Sequence, residues 1–113
     1  MHELSIAQSI VQLAEQEAQK YHALQITEIE LEIGVFSSIE IQALMFALEF
    51  AVKDSLLEKA DIIYLPIEGK GECRECESDF LLKSLFSPCP NCGSYNIQIV
   101  NGKELRIKSI CIK

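Results

Sequence analysis

The chain has 113 residues and is acidic, with 17 Asp+Glu against 10 Lys+Arg and a formal net charge of −7. Nucleic-acid backbones demand the opposite sign, so the composition argues against DNA or RNA as a partner and favours cations or basic surfaces. Hydrophobic residues at 49% and charged residues at 24% exclude a disordered chain. The longest apolar stretch, 41–52, is broken by Gln42 and Glu49 and is too short to span a bilayer, so no membrane association is expected.

In chain order, residues 4 to about 21 read as an amphipathic helix. Ile6, Ile10 and Leu13, with Val11, Ala14 and Ala18, recur at spacings of three and four, and glutamines fill the other face. Residues 26–33 alternate with period two. Ile29, Leu31 and Ile33 face one way and Glu28, Glu30 and Glu32 the other, which is the pattern of a half-buried strand that Gly34 ends. A second helix is expected from Ser37-Ser38 to about 54, with Ser37 and Glu40 as a capping box and Ile41, Leu44, Met45, Leu48 and Val52 as its apolar stripe. Residues 61–67 and 105–112 read as two further strands. The fold class is therefore α+β: a small sheet of about three strands packed by two helices, with an inserted zinc-ribbon-like module.

That module is marked by a shift in composition. Residues 69–102 hold four of the five cysteines, four of the five glycines, and both Pro88 and Pro90. Segments 1–68 and 103–113 form the surrounding α/β domain. The cysteines are arranged as Cys73-Arg-Glu-Cys76, twelve residues, then Cys89-Pro-Asn-Cys92-Gly93. Each Cys-x-x-Cys hook aims two sulfurs at one point, and four soft thiolates in a tetrahedron suit zinc. Gly93 provides for the left-handed turn that closes the second hook. A module this short seldom buries enough surface to fold unaided, so the metal is expected to supply most of its folding free energy. Four thiolates leave no open position, which makes the zinc structural and not catalytic. The same hooks also suit iron, as in a rubredoxin-like electron carrier. The opening Met1-His2-Glu3 has no basic and apolar leader pattern, so the expected location is the reducing cytoplasm, where clustered cysteines point to metal and not to disulfides. Cys111 lies in a predicted strand far along the chain and reads as a small core hydrophobe. No nucleophile–base pair, phosphate-cradling loop or open metal site is legible, so no enzyme activity is expected. His22 reads as a helix-end residue.

Met1-His2-Glu3 also offers a chelating set. A free terminal amine, the His2 amide nitrogen and the His2 imidazole close two rings on one ion, and planar nitrogen donors favour nickel(II) or copper(II). Glu3 adds an amide nitrogen or a carboxylate oxygen. Equally, His2 and Glu3 suit a solvated helix start, with Glu3 favouring the helix N-terminus.

The whole chain resembles the HypA/HybF family of hydrogenase nickel-incorporation proteins. The matching pieces are Met1-His2-Glu3-Leu4-Ser5, Glu32-Ile33-Gly34, the two cysteine hooks, and Glu104-Leu105-Arg106-Ile107-Lys108-Ser109-Ile110. The resemblance implies a nickel metallochaperone for [NiFe]-hydrogenase, in some members also for urease. It implies nickel ligation by Met1, His2 and Glu3, with structural zinc on Cys73, Cys76, Cys89 and Cys92. A further acidic residue is often placed nearby in the second helix, and Glu40 occupies that region, where the capping box accounts for it as well. Implied partners are the GTPase of the maturation system and the hydrogenase large subunit. Either a monomer or a homodimer is compatible with the sequence. The family usually ends Ser-Ile-Glu-hydrophobic, whereas this chain has Ser109-Ile110-Cys111-Ile112. The competing readings are a zinc-ribbon interaction adaptor without nickel and the iron electron carrier.

Overall fold

The computed structural model describes residues 3–113. Among them are two helices and six strands: α1 (Glu3–Gln19), β1 (Ile26–Gly34), α2 (Ile41–Ala51), β2 (Asp61–Ile67), β3 (Lys70–Cys73), β4 (Asp79–Leu81), β5 (Ile97–Asn101) and β6 (Leu105–Ile112). The strands form two three-stranded sheets, ordered β2-β1-β6 and β4-β3-β5. No helix among the described residues is long and apolar enough to cross a membrane.

The first sheet is mixed. Gly34 N donates to Glu104 O at one end of the β1–β6 pair and Lys113 N to Gln25 O at the other, so these strands are antiparallel. Ile26 N donates to Leu56 O and Val35 N to Ile67 O, so β1 and the β2 segment run in the same direction. Parallel neighbours need a crossover, and α2 provides it. As the central strand, β1 carries the alternation furthest: Ile29, Leu31 and Ile33 are buried, as is Ile26 at its start. Each such side chain stabilises the fold by about 2 kcal/mol relative to leaving it exposed.

The chain forms two compact units. The first comprises Met1–Leu31, Ile39–Leu65 and Arg106–Lys113; the second comprises Glu32–Ser38 and Pro66–Leu105. In the first, α1 and α2 pack on each other. The buried stripe of α1 is Ala7, Ile10, Val11, Ala14 and Ala18. It keeps Ile10, Val11, Ala14 and Ala18 of the predicted stripe and adds Ala7, while Leu13 stays 57% exposed. α2 buries Leu44, Ala47 and Leu48 and leaves Phe46 and Phe50 outward, stacked edge to face at 5.0 Å.

The start of α2 differs from the sequence expectation. The helix begins at Ile41, not at Ser37, because Ser38 adopts a left-handed φ of 66° that interrupts helical geometry. Glu40 is itself the N-cap, and its Oε1 accepts the Gln42 amide at 2.9 Å. At the other end of α1, His22 sits at φ 55°, just past the helix, with its amide bonded to Gln19 O. This is the helix-end role read from the sequence.

Cys111 requires a second correction. It is exposed and not a core hydrophobe. It sits near the end of β6, an edge strand, where Ile112 and Lys113 are exposed as well. Its Sγ lies 3.5 Å from Glu28 Oε2. That hydrogen bond, with burial and the charges of Glu28 and Glu30, holds the thiol above its usual range. Only thiolate reacts with maleimides, so Cys111 should alkylate slowly at neutral pH. Glu28→Gln should speed the reaction severalfold, as followed by mass spectrometry of the 105–113 peptide. An unchanged rate would show that Glu28 does not hold the proton.

In the second unit, β3 pairs antiparallel with both β4 and β5, with a register shift between Lys70 and Gly71. None of these three strands is legible in the sequence. The buried positions of β3 are Gly71 and Cys73, and neither residue writes an apolar alternation.

Candidate metal sites

The two hooks are built alike. Glu77 N donates to Cys73 O and Gly93 N to Cys89 O, both at 2.8 Å. Cys73 N donates to Ser78 O at 2.9 Å and Cys89 N to Ser94 O at 2.8 Å. Within each hook the second cysteine's amide donates to the first cysteine's sulfur, Cys76 N to Cys73 Sγ and Cys92 N to Cys89 Sγ, both at 3.5 Å. Closing this turn takes a left-handed residue after the second cysteine. Gly93 supplies it at φ 78°, as expected, and Glu77 does the same at φ 63° with no glycine.

This repeat brings the four sulfurs of Cys73, Cys76, Cys89 and Cys92 within 4.8 Å of one another. Cys73 Sγ and Cys92 Sγ approach to 3.5 Å, and Cys76 Sγ and Cys89 Sγ to 3.6 Å. A tetrahedral ion with bonds of about 2.3 Å to sulfur has sulfur–sulfur edges of about 3.8 Å, so small side-chain shifts accommodate it. Cys73 and Cys89 are buried, Cys76 is half-buried and Cys92 is exposed.

The surroundings prepare the sulfurs for a cation. Asn91 N donates to Cys89 Sγ at 3.4 Å, and Asn91 Nδ2 reaches Cys76 Sγ at 3.5 Å and Ser78 Oγ at 3.2 Å. Ser78 Oγ lies 3.3 Å from Cys76 Sγ. Hydrogen bonds from Ser78 and then Asn91 pull the Cys76 thiol down to about 6. For Cys92 the Ser94 amide acts in the same sense, but Cys73, burial and the other sulfurs outweigh it and push the thiol up to about 12. Without metal, Cys92 keeps a proton that a divalent cation displaces. Asn91 and Ser78 were not picked out from the sequence. Asn91 lies inside the second hook and Ser78 two residues past the first, which was the available signal.

Of the predicted nickel ligands, Met1 and His2 lie outside the described residues. Glu3 opens α1, and its Oε2 accepts the Glu40 amide at 3.4 Å. Two acidic residues 37 positions apart therefore meet. Glu40 keeps its own side chain on Gln42 N. Cys111 is not part of the four-sulfur cluster.

Comparison with known proteins bears on both places. The family described as hydrogenase/urease nickel incorporation, metallochaperone, HypA, matches residues 1–112. The hydrogenase maturation factor HypA of Parabacteroides distasonis is 58% identical over 113 residues, covering 100% of this chain and 98% of the relative. That of Geobacter metallireducens is 40% identical over 110 residues, 97% of each. Among solved structures, the nickel metallochaperone HypA from Helicobacter pylori superposes with a TM-score of 0.73 at 28% identity, covering 99% of this chain and 97% of that one. A second solution structure, of a HypA protein, gives a TM-score of 0.77, also at 28% identity.

Proposed function

The chain belongs to the HypA family of hydrogenase/urease nickel-incorporation metallochaperones, and from that membership we propose that it carries nickel(II) at its N-terminal segment and delivers it during hydrogenase maturation. It is a carrier and not a catalyst. The observation that carries the site assignment is the meeting of Glu3 and Glu40. It ties the carboxylate of Glu3, the residue after His2 in the sequence, to the N-cap of α2.

In this reading, nickel is cargo. The Met1 amine, the His2 amide and imidazole, and Glu3 are its ligands, and Glu40 fixes the orientation of Glu3 through its backbone amide. A delivery protein must load and also release. Few ligands at one chain end suit that balance, and release follows when an acceptor offers better donors. Nickel binding weakens as pH falls, because amine, amide and imidazole must each lose a proton to coordinate.

Cys73, Cys76, Cys89 and Cys92 hold zinc, which serves structure because all four positions are taken by sulfur. The zinc-bearing segment is a docking surface for pathway partners. The reading assigns these as the GTPase of the maturation system, the hydrogenase large subunit, and, where urease is present, its maturation proteins. The chain acts in the cytoplasm.

The test is a nickel titration of untagged, zinc-loaded protein by calorimetry and visible absorption, alongside His2→Ala, Glu40→Gln and Glu40→Pro. The expected result is saturable binding by the parent chain and none by His2→Ala. Glu40→Gln keeps the backbone amide that holds Glu3 and should bind nickel as the parent does, whereas Glu40→Pro, which removes that amide, should weaken binding by about tenfold, the size of effect usual for a group that orients a ligand. Equal binding by the parent and His2→Ala would move nickel away from the N-terminus and sink the site assignment.

A further inference from the structure

We propose that the four-sulfur site is also an oxidant-sensitive modification site, in which Cys92 is the point of attack and Cys73 resolves it, forming a disulfide between the two hooks and expelling the metal. This rests on the zinc reading above.

The four sulfurs differ in access. Cys73 and Cys89 are 0% and 2% exposed, whereas Cys92 is open to solvent. They also differ in hydrogen bonding. Cys76 takes Asn91 Nδ2 and neighbours Ser78 Oγ, and Cys89 takes two amides, from Asn91 and Cys92, whereas Cys92 takes one, from Ser94. Such bonds draw charge from sulfur and slow its reaction with electrophiles. Cys92 is therefore the sulfur that a small oxidant reaches first, and zinc keeps it as thiolate.

The partner is set by distance. Both sulfur–sulfur approaches, Cys73 with Cys92 at 3.5 Å and Cys76 with Cys89 at 3.6 Å, run between hooks and not within them. A disulfide needs about 2.05 Å, so closure takes a movement of about 1.5 Å. With hydrogen peroxide as oxidant, the Cys92 thiolate attacks one peroxide oxygen. The S–O bond forms, the O–O bond breaks, hydroxide leaves, and sulfur loses two electrons to the peroxide. The Cys73 thiolate then attacks the Cys92 sulfenic sulfur. The S–S bond forms, the S–OH bond breaks, and a second hydroxide leaves. Cys76 and Cys89 would then be the two remaining ligands, too few to hold a zinc ion tightly, and are left for a second equivalent.

The experiment uses full-length Cys111→Ser protein, because Cys111 is exposed and would compete. Zinc content is measured first. Limiting hydrogen peroxide is then added, zinc release is followed with a chromogenic chelator, free thiols are trapped with N-ethylmaleimide, and disulfides are mapped by mass spectrometry. The expected product of the first equivalent is the Cys73–Cys92 disulfide, formed in step with zinc release. In a parallel sample, limiting N-ethylmaleimide alone should label Cys92 roughly tenfold ahead of Cys73. Disulfides within the hooks, Cys73–Cys76 or Cys89–Cys92, would overturn the proposal, as would equal labelling of all four. Protein that contains no zinc at the outset would instead overturn the zinc reading, and the two failures are distinct.

Discussion

Replacing Cys73 with alanine should leave the chain without tightly bound zinc and unfold its second unit, while the first unit stays folded. The asymmetry follows from where apolar side chains are buried. The first unit buries Ala7, Ile10, Val11, Ala14, Ala18, Ile26, Ile29, Leu31, Leu44, Ala47, Leu48 and Leu57. In the second, the buried side chains of this kind are Ile33, Leu82, Cys73 and Cys89, so half of its small core belongs to the four-sulfur cluster. Two apolar residues at about 2 kcal/mol each cannot offset the ordering of two hooks and three short strands. A structural zinc contributes about 10–16 kcal/mol in comparable small modules, which exceeds that deficit. Amide exchange with zinc analysis provides the measurement. Amides of β3, β4 and β5 should lose protection in Cys73→Ala, and in parent protein treated with a strong chelator, while those of α1, α2 and the centre of β1 keep theirs. Full protection of β3–β5 in zinc-free protein would show that the unit folds by packing alone.

Gly34→Ala should be the most damaging single methyl in the described chain, costing about 3–5 kcal/mol. A Cβ at this position would lie 2.0 Å from Gly102 O, 2.1 Å from Gly102 C and 2.6 Å from Lys103 N. All three are backbone atoms, so no rotamer change relieves the clash. The segments are also fastened on both sides of the contact, by Gly34 N to Glu104 O at 2.7 Å and Phe36 N to Gly102 O at 2.6 Å. The alanine's conformational advantage over glycine, about 0.5–1 kcal/mol, does not offset this. Gly93→Ala is the control: nothing lies within 4 Å of its Cβ, and its φ of 78° alone costs about 1–2 kcal/mol. Thermal unfolding should place Gly34→Ala well below Gly93→Ala, by about 4 °C or more per kcal/mol of difference. Equal midpoints would mean the β1 end can shift away from the 102–103 segment at little cost.

The sequence by itself determined what depends on neighbours along the chain. The paired Cys-x-x-Cys hooks, the left-handed Gly93, the alternation of β1 and the helical periodicity of α1 and α2 are local patterns, and local backbone geometry is sufficient to realise them. Tertiary structure decided what depends on residues distant in sequence. Glu40 reads equally well as the end of a capping box or as a neighbour of the N-terminus until folding places its amide against Glu3 Oε2. Ser38's left-handed φ then moves the cap itself to Glu40. Gly34 reads as a strand stop, yet the need for glycine there comes from Gly102, whose carbonyl fills the space a side chain would take. β3 could not be read because its inward residues are Gly71 and Cys73. Cys111 reads as a core thiol because an edge strand and a central strand carry the same β-branched signature, and only the sheet order β2-β1-β6 leaves its strand at the solvent edge.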